Sequence, residues 1–151
     1  MDKYHLSIKG KIVGVSWILR NHERKVLLHS RHAFAQIDSL DDAKLQCLLW
    51  AIDSMSSLKF SNVIFGTEAK NLIGAVTRPK AWPSFAFQVL EINLALSSIP
   101  CWKLQSELRK TNLGASHIAE SASYGARLHS YVARSYPFWL KNTLVNDLLP
   151  V

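Results

Sequence analysis

The sequence predicts a mixed α/β domain. It should hold one five-stranded sheet, three antiparallel strands followed by parallel ones, with helices on both faces. Three observations predict this. Residues 4–34 read as three short strand-like runs separated by polar turns, which is an antiparallel meander. Residues 40–57 carry the longest clean helical pattern in the chain. After it, short apolar strands alternate with helical segments, the order that parallel pairing requires.

Each element has its own signal. Tyr4 to Ile8 alternates in character, and Lys9-Gly10-Lys11 reads as a tight turn. Ile12 to Leu19 is the second strand, and Arg20 to Arg24 is a polar hairpin turn. Lys25 to Phe34 is the third strand. In the helix Leu40–Ser57, Ala43, Cys47, Trp50, Ala51 and Ser54 line one side. Leu45, Leu48, Leu49, Ile52 and Met55 widen that apolar surface, so the helix should lie against a sheet. Ser39 is its N-cap candidate, and Asp41 and Asp42 suit the positive end of the helix dipole. Lys44 breaks the pattern beside the apolar side. It is either a lysine snorkelling at the helix edge or a residue at a position of chemistry.

Ser61 to Phe65 is a short buried strand, followed by Gly66-Thr67-Glu68 and a helix over Ala69 to Val76. A loop with Pro79 and Pro83 leads to a helix over Ser84 to Ser97, with Phe85, Val89, Ile92 and Leu96 in register. Cys101 to Leu108 is the fifth strand, and Gly114 to Ser123 is a helix of small residues that can pack closely on a neighbour. The organisation is therefore one domain over 1–130 and an aromatic, apolar tail over 131–151, docked on the domain or on a partner.

Composition narrows the class. Of 151 residues, 48% are hydrophobic and 19% charged, enough for a real core. No apolar run spans a bilayer and the start is too polar for a signal peptide, so a soluble protein of the nucleus or cytoplasm is expected, with no membrane partner. Cys47 and Cys101 have no metal-binding or disulfide-framework spacing. The net charge of +7 permits phosphate contacts, although the basic residues form no long run.

Several segments carry a resemblance. GVSWILRN (Gly14 to Asn21) is similar to a second strand of the form Gly-x-Gly-Trp-x-Leu-Arg-Asp, and KVLLHSRHAF (Lys25 to Phe34) to the strand after it. LLWAIDSM (Leu48 to Met55) is similar to the first helix, and SNVIFGTEAKNLIGAV (Ser61 to Val76) to the fourth strand and second helix. RKTNLGASHIAESA (Arg109 to Ala122) is similar to Arg-x-x-Asn-x-x-Ala-Asp-x-Leu-Ala, and the tail SYVARSYPFWL is also typical. On these residues the chain resembles the plant ribonuclease H-like, or reverse-transcriptase-like, domains. The order of elements is that of the ribonuclease H fold.

The resemblance implies a site. Active members cleave the RNA strand of an RNA–DNA hybrid with two divalent ions, usually Mg²⁺, held by four carboxylates. The first acid is an Asp on the first strand. By spacing to Trp17 it falls on Asp2; if Tyr4 to Ile8 is instead the central strand, that strand carries no carboxylate. The second is a Glu six residues before the helix Trp, and Lys44 stands there. The third is an Asp after the fourth strand, here Glu68, and the fourth an Asp before the last helix, here Ser116. With Asp2 counted, these positions carry −1 in place of −4. No cofactor is expected; Mg²⁺ or Mn²⁺ would serve if the chain were active, with Glu68 the remaining ligand. Lys44 and Glu68 are placed to form an ion pair across the former cavity.

The expected function is thus a degenerate ribonuclease H-like domain that keeps nucleic-acid binding, to an RNA–DNA hybrid or RNA. The alternatives are an active hybrid ribonuclease and a protein-interaction module acting through the apolar tail. Candidate nucleic-acid contacts are Ser39, Arg109 and Asn112, with Lys9, Lys11, Arg78 and Lys80 in loops. Trp82 and Trp102 are expected in core packing rather than base stacking, and His117 in a structural or exposed place.

Overall fold

The computed structural model describes residues 3–10, 14–34, 37–124 and 131–141. The strands are β1 (Tyr4–Gly10), β2 (Gly14–Arg20), β3 (Val26–Ala33), β4 (Val63–Thr67), β5 (Trp102–Ser106) and β6 (Tyr131–Arg134). The helices are α1 (Leu40–Ser57), α2 (Lys70–Thr77), α3 (Ala86–Leu96) and α4 (Leu113–Tyr124). The sheet order is β5-β4-β1-β2-β3-β6. β1 pairs with β2 antiparallel and with β4 parallel, so the first strand is the pivot between the two halves of the sheet.

The mixed sheet has six strands rather than the expected five. The sixth comes from residues assigned to the tail: β6 pairs antiparallel with β3, Arg134 opposite Leu28. Its end is tied by the Ser135 amide, which donates to the Leu27 carbonyl at 2.7 Å. Leu140 is buried with Ile18, Val26, Ala115 and Ile118. Residues 131–141 thus contribute a strand to the sheet and Leu140 to its second core. Residues 142–151 lie outside the described residues.

Two cores sit on the two faces. On the first, α1 lies on β1 and β2, and residues of α1, α2 and α3 form one core with Leu6, Ile8, Trp17, Leu19 and Phe65. Each such side chain contributes about 1.5–3 kcal/mol by leaving water. α1 spans Leu40–Ser57, the residues its periodicity predicts, and Ser39 caps it by accepting from the Asp42 amide at 3.1 Å. On the second face α4 lies against β2 and β3, with Arg31 Nη1 donating to Ser121 Oγ at 2.7 Å. Ser16 Oγ on β2 donates to the Ala115 carbonyl, fixing the start of α4 on the sheet.

The two tryptophans differ. Trp82 is half-buried, edge-on to Phe85 at 5.6 Å and against the Cα of Gly74, where a Cβ would come 3.2 Å from Nε1. Trp102, expected in the core, is 39% exposed, because β5 is the edge of the sheet. No helix among the described residues is long and apolar enough to cross a membrane.

The cysteines give a first prediction. Cys47 is buried under β1 and β2, its Sγ donating to the Lys9 carbonyl at 3.1 Å, and burial pushes its thiol pKa far up. Cys101 is exposed. A thiolate-selective reagent at pH 8 should modify Cys101 alone in the native protein and both thiols after denaturation. Fast native modification of two thiols would contradict the packing of α1 on the sheet.

Candidate functional site

The parallel pairing of β1 and β4 builds the site. Its register runs to Ile8 opposite Thr67, which places the next residues, Lys9 and Glu68, side by side at the end of both strands. Lys9 Nζ forms an ion pair with Glu68 Oε2, and both side chains are largely shielded from solvent. Three contacts hold this end of β1. Cys47 of α1 bonds the Lys9 carbonyl from one face. Asn112 Nδ2, from the 3₁₀ turn Arg109–Asn112, donates to the Ile8 carbonyl at 2.9 Å. Opposite Lys9 on β2 stands Ser16, itself bonded to α4.

Lys44 enters from the first turns of α1. It shares a cavity of about 220 Å³ with Asp41, Glu68, Lys70, Asn71 and Phe85. Glu68 thus faces two ways: its carboxylate is paired with Lys9 and also lines the cavity of Lys44. The expected partner of Glu68 was Lys44; the ion pair is made by Lys9, because the strand register delivers Lys9 directly to the carboxylate.

Of the two arrangements the sequence leaves open for the first acid, the one with Tyr4 to Ile8 in the central strand is observed. β1 is the central strand and carries no carboxylate, and its residue beside Glu68 is Lys9. Asp2 precedes β1 in sequence and lies outside the described residues. Lys9, expected in a loop as a phosphate contact, is a strand residue of the site itself. Ser116 is buried on the first turn of α4. At Lys9, Lys44, Glu68 and Ser116 the formal charge is +1, not the −1 reckoned with Asp2.

This donor set does not fit a two-ion centre. Dications of that kind need several anionic oxygens. Here three ammonium groups, Lys9, Lys44 and Lys70, stand with two carboxylates, Asp41 and Glu68, and Lys9 occupies the carboxylate of Glu68. Among the described residues no group of three His, Cys, Asp or Glu side chains comes together as a metal site.

The other expected contacts scatter. Ser39, Arg78 and Lys80 are exposed, with Ser39 also serving as the α1 cap. Arg109 lies in the turn before α4, whereas Asn112 is buried and spent on the Ile8 carbonyl, which removes it from any surface contact. His117 is exposed. Lys11 lies outside the described residues. Sequence reasoning missed Asp41 and Lys70 as cavity residues. Their signals were available: Asp41 is three residues before Lys44 on one helix face, and Lys70 opens α2 two residues after Glu68.

Comparison with known proteins agrees with this architecture. Residues 7–122 match the reverse transcriptase-like family. No curated protein matches the chain. Among solved structures, ribonuclease H1 from the archaeon Halobacterium salinarum is similar, at 15% identity and a TM-score of 0.66, over 80% of this chain and 96% of that one. An N-terminal ribonuclease H domain from Mycobacterium tuberculosis has 15% identity and a TM-score of 0.69, over 83% and 96%. The LC11 ribonuclease H1 from compost, solved in complex with an RNA/DNA hybrid, has 12% identity and a TM-score of 0.67, over 83% and 99%. At these identities the likeness is one of fold.

Proposed function

Because the chain belongs to the reverse transcriptase-like family and has the ribonuclease H fold, we propose that it is a nucleic-acid-binding domain without metal-dependent hydrolysis, whose lysines contact phosphate directly. The observation that carries this reading is the Lys9–Glu68 ion pair beside Lys44. In a two-ion nuclease the metal ions bridge protein carboxylates and substrate phosphate. Here Lys44 and Lys70 supply fixed positive charge against Asp41, and Lys9 neutralises the Glu68 carboxylate, which would otherwise repel a phosphate. An ammonium attracts the phosphate but cannot lower the pKa of a water as a dication does, so binding survives and hydrolysis does not. A similar protein in complex with an RNA/DNA hybrid makes such a hybrid the first substrate to try.

The test is a gel shift with a labelled RNA/DNA hybrid, read together with cleavage. Binding should be insensitive to chelator, weaken steeply with salt, and leave the RNA strand intact in Mg²⁺ and in Mn²⁺. Lys44→Ala should weaken binding about threefold to tenfold and reduce the salt slope by about one. Cleavage that chelator and Glu68→Ala both abolish would overturn the proposal. Absence of binding at low salt would do the same.

A further inference from the structure

The second face of the sheet is unevenly covered. α4 packs on β1, β2 and β3. Beside it, over β5, β4 and the adjoining ends of β1 and β2, that face holds a cavity of about 460 Å³, lined by Lys3, His5, Arg20, Arg24, Gln105 and Glu107 among others. It lies up β1 from the ion pair. His5 and Lys9 are four residues apart on one face, about 13 Å along a strand.

The floor is a buried polar network. Arg20 Nη1 donates to Ser7 Oγ at 3.0 Å, and Ser7 Oγ donates to Glu107 Oε1 at 3.1 Å. His5 Nε2 reaches the same carboxylate oxygen at 3.1 Å, and Gln105 Nε2 lies 3.2 Å from His5 Nε2. Arg20 is 4% and Glu107 7% exposed. Glu107 reaches this place by folding over Gly66, where a Cβ would sit 2.6 Å from its Oε1. Burying an ion carries a desolvation penalty, and well-packed apolar side chains would cover a sheet at least as well. A charged floor beneath an open cavity therefore calls for a reason beyond covering the sheet.

The rim repeats the point. Lys3, His22 and Arg24 are exposed around the opening. The hairpin turn is built by Asn21 Oδ1, which accepts from the amides of Glu23 and Lys25 at 3.0 Å each. It holds Arg24 at φ 64°, a left-handed conformation that favours glycine over arginine. With Lys3, Arg20 and Arg24 against Glu107, the cavity carries a net charge of +2. Ile64 and Leu108 supply apolar wall. The volume falls in the range of small-molecule sites, roughly 300–1,000 Å³.

We propose that this cavity binds a small phosphate monoester of nucleotide size, with its dianionic phosphate on Lys3 and Arg24 and its polar ring edge on His5, Gln105 and Glu107. A phosphate monoester matches both the +2 charge and the fork of an arginine, and a carboxylate matches only the second. The floor offers both donors and acceptors, which suits a heterocycle or sugar rather than a bare ion. The site is separate from Lys9, Lys44 and Glu68, so it stands or falls independently of the proposed function.

The experiment is isothermal titration of the full chain at low salt with AMP and GMP, and with ribose 5-phosphate and inorganic phosphate as smaller probes. One nucleotide should bind per chain. Lys3→Ala and Arg24→Gly, the latter keeping the turn, should each weaken it about tenfold. Leu108→Trp places a large ring at the mouth from an exposed position; it should abolish nucleotide binding while leaving the circular dichroism spectrum and hybrid binding intact. A 5′-phosphorylated oligonucleotide competing with AMP, where its 5′-hydroxyl form does not, would assign the site to a strand end. Failure to compete would assign it to a free nucleotide. The proposal is overturned if no monoester binds more tightly than about 1 mM. It is equally overturned if inorganic phosphate binds as well as the nucleotides, or if Leu108→Trp has no effect.

Discussion

A Lys9→Asp, Lys44→Glu, Ser116→Asp variant is expected to gain a Mg²⁺-dependent stability that the parent chain lacks. The three substitutions remove two ammonium groups and add three carboxylates, taking the formal charge at these positions from +1 to −4. In the absence of metal the four carboxylates repel one another, so the variant should unfold more easily than the parent in chelator. With Mg²⁺ or Mn²⁺ at about a hundred times the dissociation constant, the folded state recovers about 2.7 kcal/mol. Urea unfolding with metal and with chelator measures this. The parent midpoint should be the same in both, since Glu68 is held by Lys9. A double variant, Lys44→Glu with Ser116→Asp, should gain much less, because the remaining Lys9 still occupies the carboxylate. A parent that is stabilised by metal as strongly as the triple variant would show the site to be misplaced, as would a double variant matching the triple one.

Acid should destabilise the protein through His5. Burial, reinforced by Arg20 and Arg24, lowers its pKa from 6.5 to about 4. Its contact with Glu107 at neutral pH is therefore that of a neutral imidazole. The sign follows from proton uptake. Between pH 6.5 and 4 the unfolded chain binds a proton that the folded chain refuses, so stability is intact above about pH 6.5 and is lost as pH falls towards 4. The shift corresponds to about 3 kcal/mol by pH 4. The groups facing His5 are Lys3, Arg20, Arg24 and Glu107, and the three cations oppose a fourth positive charge. His29, buried on β3 with its Nδ1–H donating to the Ser135 carbonyl at 2.6 Å, is lowered by burial and adds to the same slope. His5→Gln keeps a polar side chain and removes the titration. The stability difference between parent and variant should change by about 3 kcal/mol between pH 7 and pH 4, and parallel curves would refute the burial of a neutral His5.

Much of this protein is legible without coordinates, and the reason is that the signals are local. Alternation over three to eight residues marks the strands, and the apolar spacing from Leu40 to Ser57, with Ser39 before it, marks α1 to the residue. The order of elements, with the segments around Trp17, Trp50 and Asn112, was enough for the ribonuclease H fold and for Lys44, Glu68 and Ser116 as the positions to inspect. What the tertiary structure alone decided depends on pairings across long stretches of chain. Lys9 reads as a turn residue until β1 is laid parallel to β4, 59 residues away, and meets Glu68. Asn112 reads as a surface contact until its amide is seen on the Ile8 carbonyl. The tail supplies a sixth strand because β3 offers it an unpaired edge. Ser7, Arg20 and Glu107 form one network only because β1, β2 and the segment after β5 bring them together. Side-chain periodicity is written in neighbouring residues, whereas strand register is set by the whole sheet, and the charge of this site is a consequence of register.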